Sequence, residues 1–189
     1  MGSKPSRCAG ASVLCYSLGP DGKLYLLLAQ DADGGKWSDF GGGVLYRNEP
    51  ESVCARRELA EEAHGIVKVP RLGACPRFDF QFDDFKNRRR HYTTYLAEVP
   101  FNGNLQARFQ KARRTVRCAN LPLKVQKARL EKVRIDYLIP NSQNGNLRSF
   151  FKLRLGFLMP YIEQIQGSVQ TGTLIPFKGH VKTFPIKSI

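Results

Sequence analysis

GVLYRNEPESVCARRELAEEAHG, residues 43–65, is the stretch that decides how this chain folds. Its second half reads as a helix carrying Arg57, Glu58, Glu61 and Glu62. Spacings of three and four residues put Glu58, Glu61 and Glu62 on one helical face, a turn apart. Carboxylates crowded in this way repel one another, and a surface helix gains nothing from them. A hard divalent cation, Mg²⁺ or Mn²⁺, makes use of the repulsion because it takes oxygen ligands. Upstream, Trp37-Ser38-Asp39-Phe40 is strand-like, and Gly41-Gly42-Gly43 lets the backbone approach a ligand closely. Pro50 suits the first helical turn, with Asn48 or Glu49 as its cap. The expected arrangement is a metal site facing a cleft, with carboxylates on one side and open glycine backbone on the other.

The stretch resembles the Nudix box, which reads Gly, five residues, Glu, seven residues, Arg-Glu, aliphatic, any residue, Glu-Glu, any residue, Gly, aliphatic. Gly43, Glu49, Arg57-Glu58, Leu59, Ala60, Glu61-Glu62 and Ala63 follow that pattern. The departure is at its end, where His64-Gly65 replaces the Gly-aliphatic pair. A glycine there ends the helix in a left-handed conformation that His adopts with strain, so Gly65 is expected to supply the turn one residue late. The resemblance implies an α+β Nudix fold, a mixed β-sheet sandwiched between α-helices, and metal-dependent hydrolysis of a diphosphate linkage. It also implies Glu58, Glu61, Glu62 and the Gly43 carbonyl as ligands of Mg²⁺ or Mn²⁺. Arg57 matches the arginine that orients a box glutamate, and Glu49 a position that supports the helix. The catalytic set is then Glu61, first choice as general base, with Arg57 and with Glu131 as the late-loop alternative. Glu98 lies on a strand, where packing or pairing is its expected role, and His64 is expected to be a helix-terminus cation.

At 189 residues with a 42% apolar fraction, the chain has material for one well-buried domain. We expect a flexible leader (1–7), a domain over 8–166 with a basic insert at about 102–134, and a C-terminal extension (167–189) whose placement the sequence leaves open. Cys8, Cys15, Cys54, Cys75 and Cys118 are odd in number and lack CxxC spacing, which argues against zinc ligation or a disulfide frame and for reduced thiols in an intracellular, cytoplasmic protein. No apolar run approaches membrane-spanning length. Met1-Gly2-Ser3-Lys4-Pro5-Ser6 fits the short N-myristoylation pattern, but a flexible leader is the simpler reading.

Outside the box, alternation and turn residues predict further elements. Strands are expected at Cys8–Leu18 and Lys23–Gln30 around a Gly19–Gly22 turn, and at Ile66–Val69, Phe78–Phe82 and His91–Val99. Asp31 and Asp33 read as solvated loop residues. Phe78, Phe80, Phe82, Tyr92 and Tyr95 are expected in the sheet core, a minority being available to stack on a base. Leu105–Cys118 reads as a basic helix with a break at Pro122. A strand ending near Pro140 and a helix from Leu147 through Pro160 to about Gln166 follow, then strand-forming pieces at Gly172–Phe177 and His180–Ile186.

Charge is concentrated late in the chain. Between Lys86 and Arg154 there are 17 Lys/Arg against Glu98, Glu131 and Asp136, a surplus of +14 that equals the net charge of the entire chain. A basic run is often only a solvated face, yet this concentration favours a polyanion-binding surface. Arg88, Arg89, Arg90, Arg113 and Arg114 are the candidate substrate or RNA contacts. Capped RNA, cleaved to release m7GDP, is the substrate this charge favours. The alternatives are a small-molecule hydrolase of dinucleoside polyphosphates, nucleoside triphosphates or inositol pyrophosphates, and a catalytically silent RNA-binding scaffold.

Overall fold

A computed structural model describes residues 7–32, 35–84, 86–118, 132–139, 146–171 and 181–186. Its strands are β1 (Arg7–Leu18), β2 (Leu24–Asp31), β3 (Trp37–Ser38), β4 (Phe40–Gly43), β5 (Arg77–Asp83), β6 (Arg89–Glu98), β7 (Lys132–Leu138) and β8 (Val181–Pro185). Its helices are α1 (Glu51–Glu62), α2 (Leu105–Cys118) and α3 (Ser149–Thr171).

All these strands join one mixed sheet in the order β3-β2-β1-β6-β5-β8, with β4 on β1 and β7 on β2. β1 and β2 form an antiparallel hairpin from Leu18↔Leu24 to Cys15↔Leu27. Beyond that point they splay, and residues 37–43 fill the wedge. There β3 pairs with β2 through Ala29↔Ser38, and β4 pairs with β1 from Val13↔Phe40 to Gly10↔Gly43. On its other edge β1 runs parallel to β6. The glycine strand is therefore held at the centre of the sheet, directly ahead of the box helix.

Side-chain alternation divides the core between the two faces of the sheet. Ala11, Val13 and Cys15 of β1 pack with Cys54, Ala55 and Leu59 of α1 and with Leu105 and Phe109 of α2. Leu14, Phe78, Phe80 and Leu96 pack on the opposite face with Phe151, Leu158, Ile162 and Ile165 of α3. The expected sandwich is thus observed. Phe78, Phe80 and Tyr95 are buried as expected, while half-buried Phe82 and Tyr92 meet Phe150 edge-on at 6.1 and 5.2 Å.

Four expectations change, and one placement left open by the sequence is filled. Residues 66–69 form no strand. His64 (φ 51°) and Gly65 (φ 69°) are both left-handed, so the turn is not delayed to Gly65 alone. The chain leaving this turn buries Val67 and packs Ile66 and Val69 against the core without strand pairing. Pro50, not Asn48 or Glu49, occupies the cap position of α1, with no side-chain cap bond. Asp31 is buried, not solvated. Finally, the C-terminal extension finds a place: β8 pairs in parallel with β5, and Phe184 lies 5.5 Å from Phe80 and 5.1 Å from Phe157. The leader before Arg7, Asp33, Pro122 and the 172–177 segment fall outside the described residues.

Candidate active site

Helix α1 lies across β1 and β4, and Arg57 is the hub of the site. Its Nε donates to Glu49 Oε1 (2.9 Å) and its Nη2 to Glu49 Oε2 (3.1 Å) and to the Gly43 carbonyl (2.9 Å). Its Nη1 donates to Glu58 Oε1 (2.6 Å) and Glu61 Oε2 (3.4 Å). Glu49 also accepts from the Leu45 amide at 2.8 Å. One guanidinium thus ties the box loop to the box helix through charge-assisted bonds. Against the downward pull of burial, the hydrogen bonds of Glu49 and Glu58 raise the Arg57 pKa further. The same Arg57 hydrogen bond holds Glu49 below the usual carboxylate range.

Glu62, one turn on from Glu58, is the buried end of the carboxylate cluster. Its Oε2 accepts from the Gly41 amide at 2.9 Å, and its Oε1 lies 3.6 Å from Lys132 Nζ. Lys132 is itself only 1% exposed and donates to Asp31 Oδ1 (2.6 Å) and Ser38 Oγ (2.8 Å). Arg148 completes the group with an ion pair to Asp31. Lys132 was counted in the sequence as one more cation of a basic run. Its register with Asp31 across β2 and β7 sets this pairing, and no local sequence signal marks it.

The electrostatics of the box carboxylates favour an added cation. Burial pushes Glu62 up to about 8 despite Lys132 and the Gly41 amide, and the charges of Glu58 and Asp39 add to the rise. Burial likewise raises Glu58 above its ordinary value, with Glu61 and Glu49 adding to the rise and Arg57 opposing it. Ionised carboxylates in these positions have too little compensating positive charge. Glutamate oxygens with a backbone carbonyl alongside are the donor set of a hard divalent cation, so the residues fit one. They are not drawn into a ready-made cage. Among the described residues, the only group placing three ligand atoms within 4.8 Å of one another is Cys8, Glu51 and His91. That group is also consistent with divalent-metal binding.

Gly42 shows how tightly the site is built. A Cβ there would meet the Glu58 carboxyl carbon at 2.6 Å. The side-chain end would yield before the backbone, so Gly42→Ala is expected to misplace Glu58 and lower kcat by about 10²-fold. Thermal melting run beside steady-state kinetics checks this, with Tm expected to stay near that of the parent.

A cleft of about 640 Å³ opens beside the box loop. Arg7, Cys8, Tyr46, Arg47, Arg90 and His91 line it together with Glu49 and Glu51. Beneath the glycine strand, on the α3 face, a second buried network holds Asp39. Arg154 Nη1 and Nη2 each donate to its carboxylate at 2.9 Å, and Nη1 also reaches Ser12 Oγ (3.0 Å) and Thr94 Oγ1 (2.5 Å). The guanidinium lies 4.6 Å from the centre of the Tyr92 ring.

The remaining sequence candidates are dispersed. Arg88, Arg89 and Arg90 sit at the β5–β6 hairpin, where Arg88 Nη2 (2.7 Å) and Arg90 Nε (3.1 Å) pair with Asp84 and Arg89 Nε lies 3.7 Å from Asp83. The Arg88 hydrogen bond holds Asp84 well below the usual carboxylate range. Those two aspartates precede the stretch over which the basic surplus was counted, so the count overstated the free charge here. Arg113 and Arg114 lie on α2, half-buried and exposed respectively. Glu98 ends β6 exposed. The His64 imidazole stacks on Phe109 at 4.8 Å, fastening the end of α1 to α2. Glu131 lies outside the described residues.

Comparison with known proteins agrees with this geometry. The NUDIX domain profile matches residues 9–136. Among solved structures, the M. smegmatis Nudix hydrolase RenU superposes with a TM-score of 0.56 at 16% identity, covering 86% of this chain and 91% of that one. The C. elegans Ap4A hydrolase gives a TM-score of 0.50 at 15% identity, covering 84% and 98%. A NUDIX hydrolase from Nitrosomonas europaea gives 0.50 at 14% identity, covering 97% and 82%. No curated protein sequence matches. No helix among the described residues is long and apolar enough to cross a membrane.

Proposed function

Because the chain belongs to the NUDIX domain family and is a hydrolase of the phosphoanhydride type, we propose that it cleaves the diphosphate linkage of a small nucleotide-derived substrate, a dinucleoside polyphosphate or related compound. The observation that carries this reading is the cleft beside the box loop. Its volume of about 640 Å³ suits a nucleotide, and Arg7 and Arg47 offer it positive charge. An Ap4A hydrolase is among the proteins that share the fold.

The chemistry follows from the side chains present. A diphosphate is anionic and repels an incoming hydroxide, so its charge must be neutralised and a nucleophile generated. Mg²⁺ or Mn²⁺, held by Glu58, Glu61, Glu62 and the Gly43 carbonyl, would polarise phosphoryl oxygens and acidify a bound water. Glu61 is the most accessible of the three carboxylates, its side chain 28% exposed against 14% for Glu58 and 8% for Glu62. It is therefore our choice for the group that takes the proton of the attacking water, with Glu131 as the alternative. Arg57 fixes Glu58 and Glu61 at their working positions. Arg7 and Arg47 stabilise the departing phosphate.

Capped RNA is the second reading, supported by the exposed Arg108, Lys111 and Arg114 along α2. The two readings differ in how they respond to RNA. If the substrate is a small molecule, uncapped RNA leaves its KM unchanged and a cap-labelled transcript turns over no faster than the free cap dinucleotide. Release of m7GDP from the transcript that is competed by uncapped RNA would instead establish decapping.

A further inference from the structure

The cleft contains a second ligand constellation that the hydrolytic reading does not use. Cys8 and His91 are register partners across the parallel β1–β6 pair, which places their side chains on one face of the sheet. Glu51, in the first turn of α1, closes over them, its Oε1 3.0 Å from His91 Nε2. One sulfur, one imidazole nitrogen and one carboxylate oxygen thus come within 4.8 Å of one another. All three residues are half-buried and line the cleft wall, so an ion reaches them from solvent while their backbones are held by sheet and helix.

We propose that Cys8, Glu51 and His91 form a zinc-class site, separate from the oxygen-donor site of the box, with its fourth position open to the cleft. The donor set makes the distinction. Thiolate and imidazole are ligands of Zn²⁺ and its neighbours, whereas Mg²⁺ and Mn²⁺ take oxygen. Three protein ligands with one open position is the pattern of a zinc ion that accepts an external oxygen or nitrogen. Arg77 approaches Glu51 Oε1 at 3.6 Å, but its Nε and Nη2 donate to the two oxygens of Asp79 at 3.0 Å each, so it does not block the site. Glu51 is two residues from Glu49, which Arg57 holds, so an ion here fastens the start of the box helix to β1 and β6. The assignment is independent of which substrate the enzyme takes.

Co²⁺ and Zn²⁺ titration of the purified full chain tests this, with Mg²⁺ present to fill the box. Bound Co²⁺ is expected to show a sulfur-to-metal charge-transfer band, and X-ray absorption of the zinc form one sulfur among nitrogen and oxygen neighbours. Cys8→Ser and His91→Gln are each expected to weaken Co²⁺ binding more than about 100-fold, exceeding the loss of a mere outer partner. Cys54→Ser and Glu58→Gln are expected to leave the band intact. The absorption measurement needs no variant, so a folding failure in Cys8→Ser leaves the test standing. A spectrum with only oxygen and nitrogen neighbours, or a charge-transfer band that persists in well-folded Cys8→Ser, would overturn the proposal. Loss of hydrolysis in Glu58→Gln alongside retained cobalt binding separates this site from the box.

Discussion

Glu58→Gln is expected to lower kcat by on the order of 10³-fold, because on the proposed mechanism it removes a charged metal ligand from the point where phosphoryl charge must be stabilised. The substitution keeps the shape of the side chain, and an amide oxygen can still accept from Arg57 Nη1, now 2.6 Å from Glu58 Oε1. Burial already disfavours the ionised carboxylate, and Glu61 and Glu49 add to that effect. The neutral amide should therefore leave the metal-free protein about as stable as its parent. Kinetics with saturating Mn²⁺, run beside thermal melting with and without the ion, checks both halves. A fold intact, a stabilisation by Mn²⁺ reduced and turnover nearly abolished is the expected set. Turnover within a few fold of the parent would remove Glu58 from the catalytic machinery.

The second large effect concerns the support beneath the site. Arg154→Met is expected to cost about 3–5 kcal/mol of stability, since it leaves the Asp39 carboxylate buried without its cation. Arg154 and Asp39 are each 3% exposed, so water cannot replace the lost charge. Met restores much of the volume but none of the bonds to Asp39, Ser12 and Thr94. Urea unfolding monitored by circular dichroism measures the loss. The double variant Arg154→Met, Asp39→Leu is expected to recover much of it, because no charge then stays buried alone. Equal losses in the single and double variants would mean that packing, not the unpaired charge, sets the cost. Asp39 immediately precedes the strand that carries Gly41, Gly42 and Gly43, so this network holds the glycine backbone against which Glu58 and Glu62 rest.

Legibility in the sequence followed the range of the interactions. The box could be read because its carboxylates, arginine and glycines lie within one short segment, where helical spacing alone decides which groups share a face. The β1–β2 hairpin and α2 were readable for the same local reason. The buried charges were not. Arg154 meets Asp39 across 115 positions and Lys132 meets Asp31 across 101, and nothing near any of the four marks its partner. Ile66–Val69 misled because its apolar, β-branched residues report burial, and burial here is met by loop packing after the left-handed turn at His64 and Gly65. The Arg88–Arg90 run looked like free charge until the hairpin placed Asp83 and Asp84 against it. The Cys8–His91 register exists only once β1 and β6 pair in parallel, a non-local event with no local sign.

Turnover of a panel comprising a dinucleoside polyphosphate, free nucleoside triphosphates and cap-labelled RNA, each with Mg²⁺ or Mn²⁺, tests the account most directly. It predicts metal-dependent cleavage of a small nucleotide substrate at a phosphoanhydride, lost in Glu58→Gln and indifferent to added RNA. Metal-dependent cleavage confined to the capped transcript would contradict the assigned substrate class, and metal-independent turnover, unchanged in Glu58→Gln, would contradict the site itself.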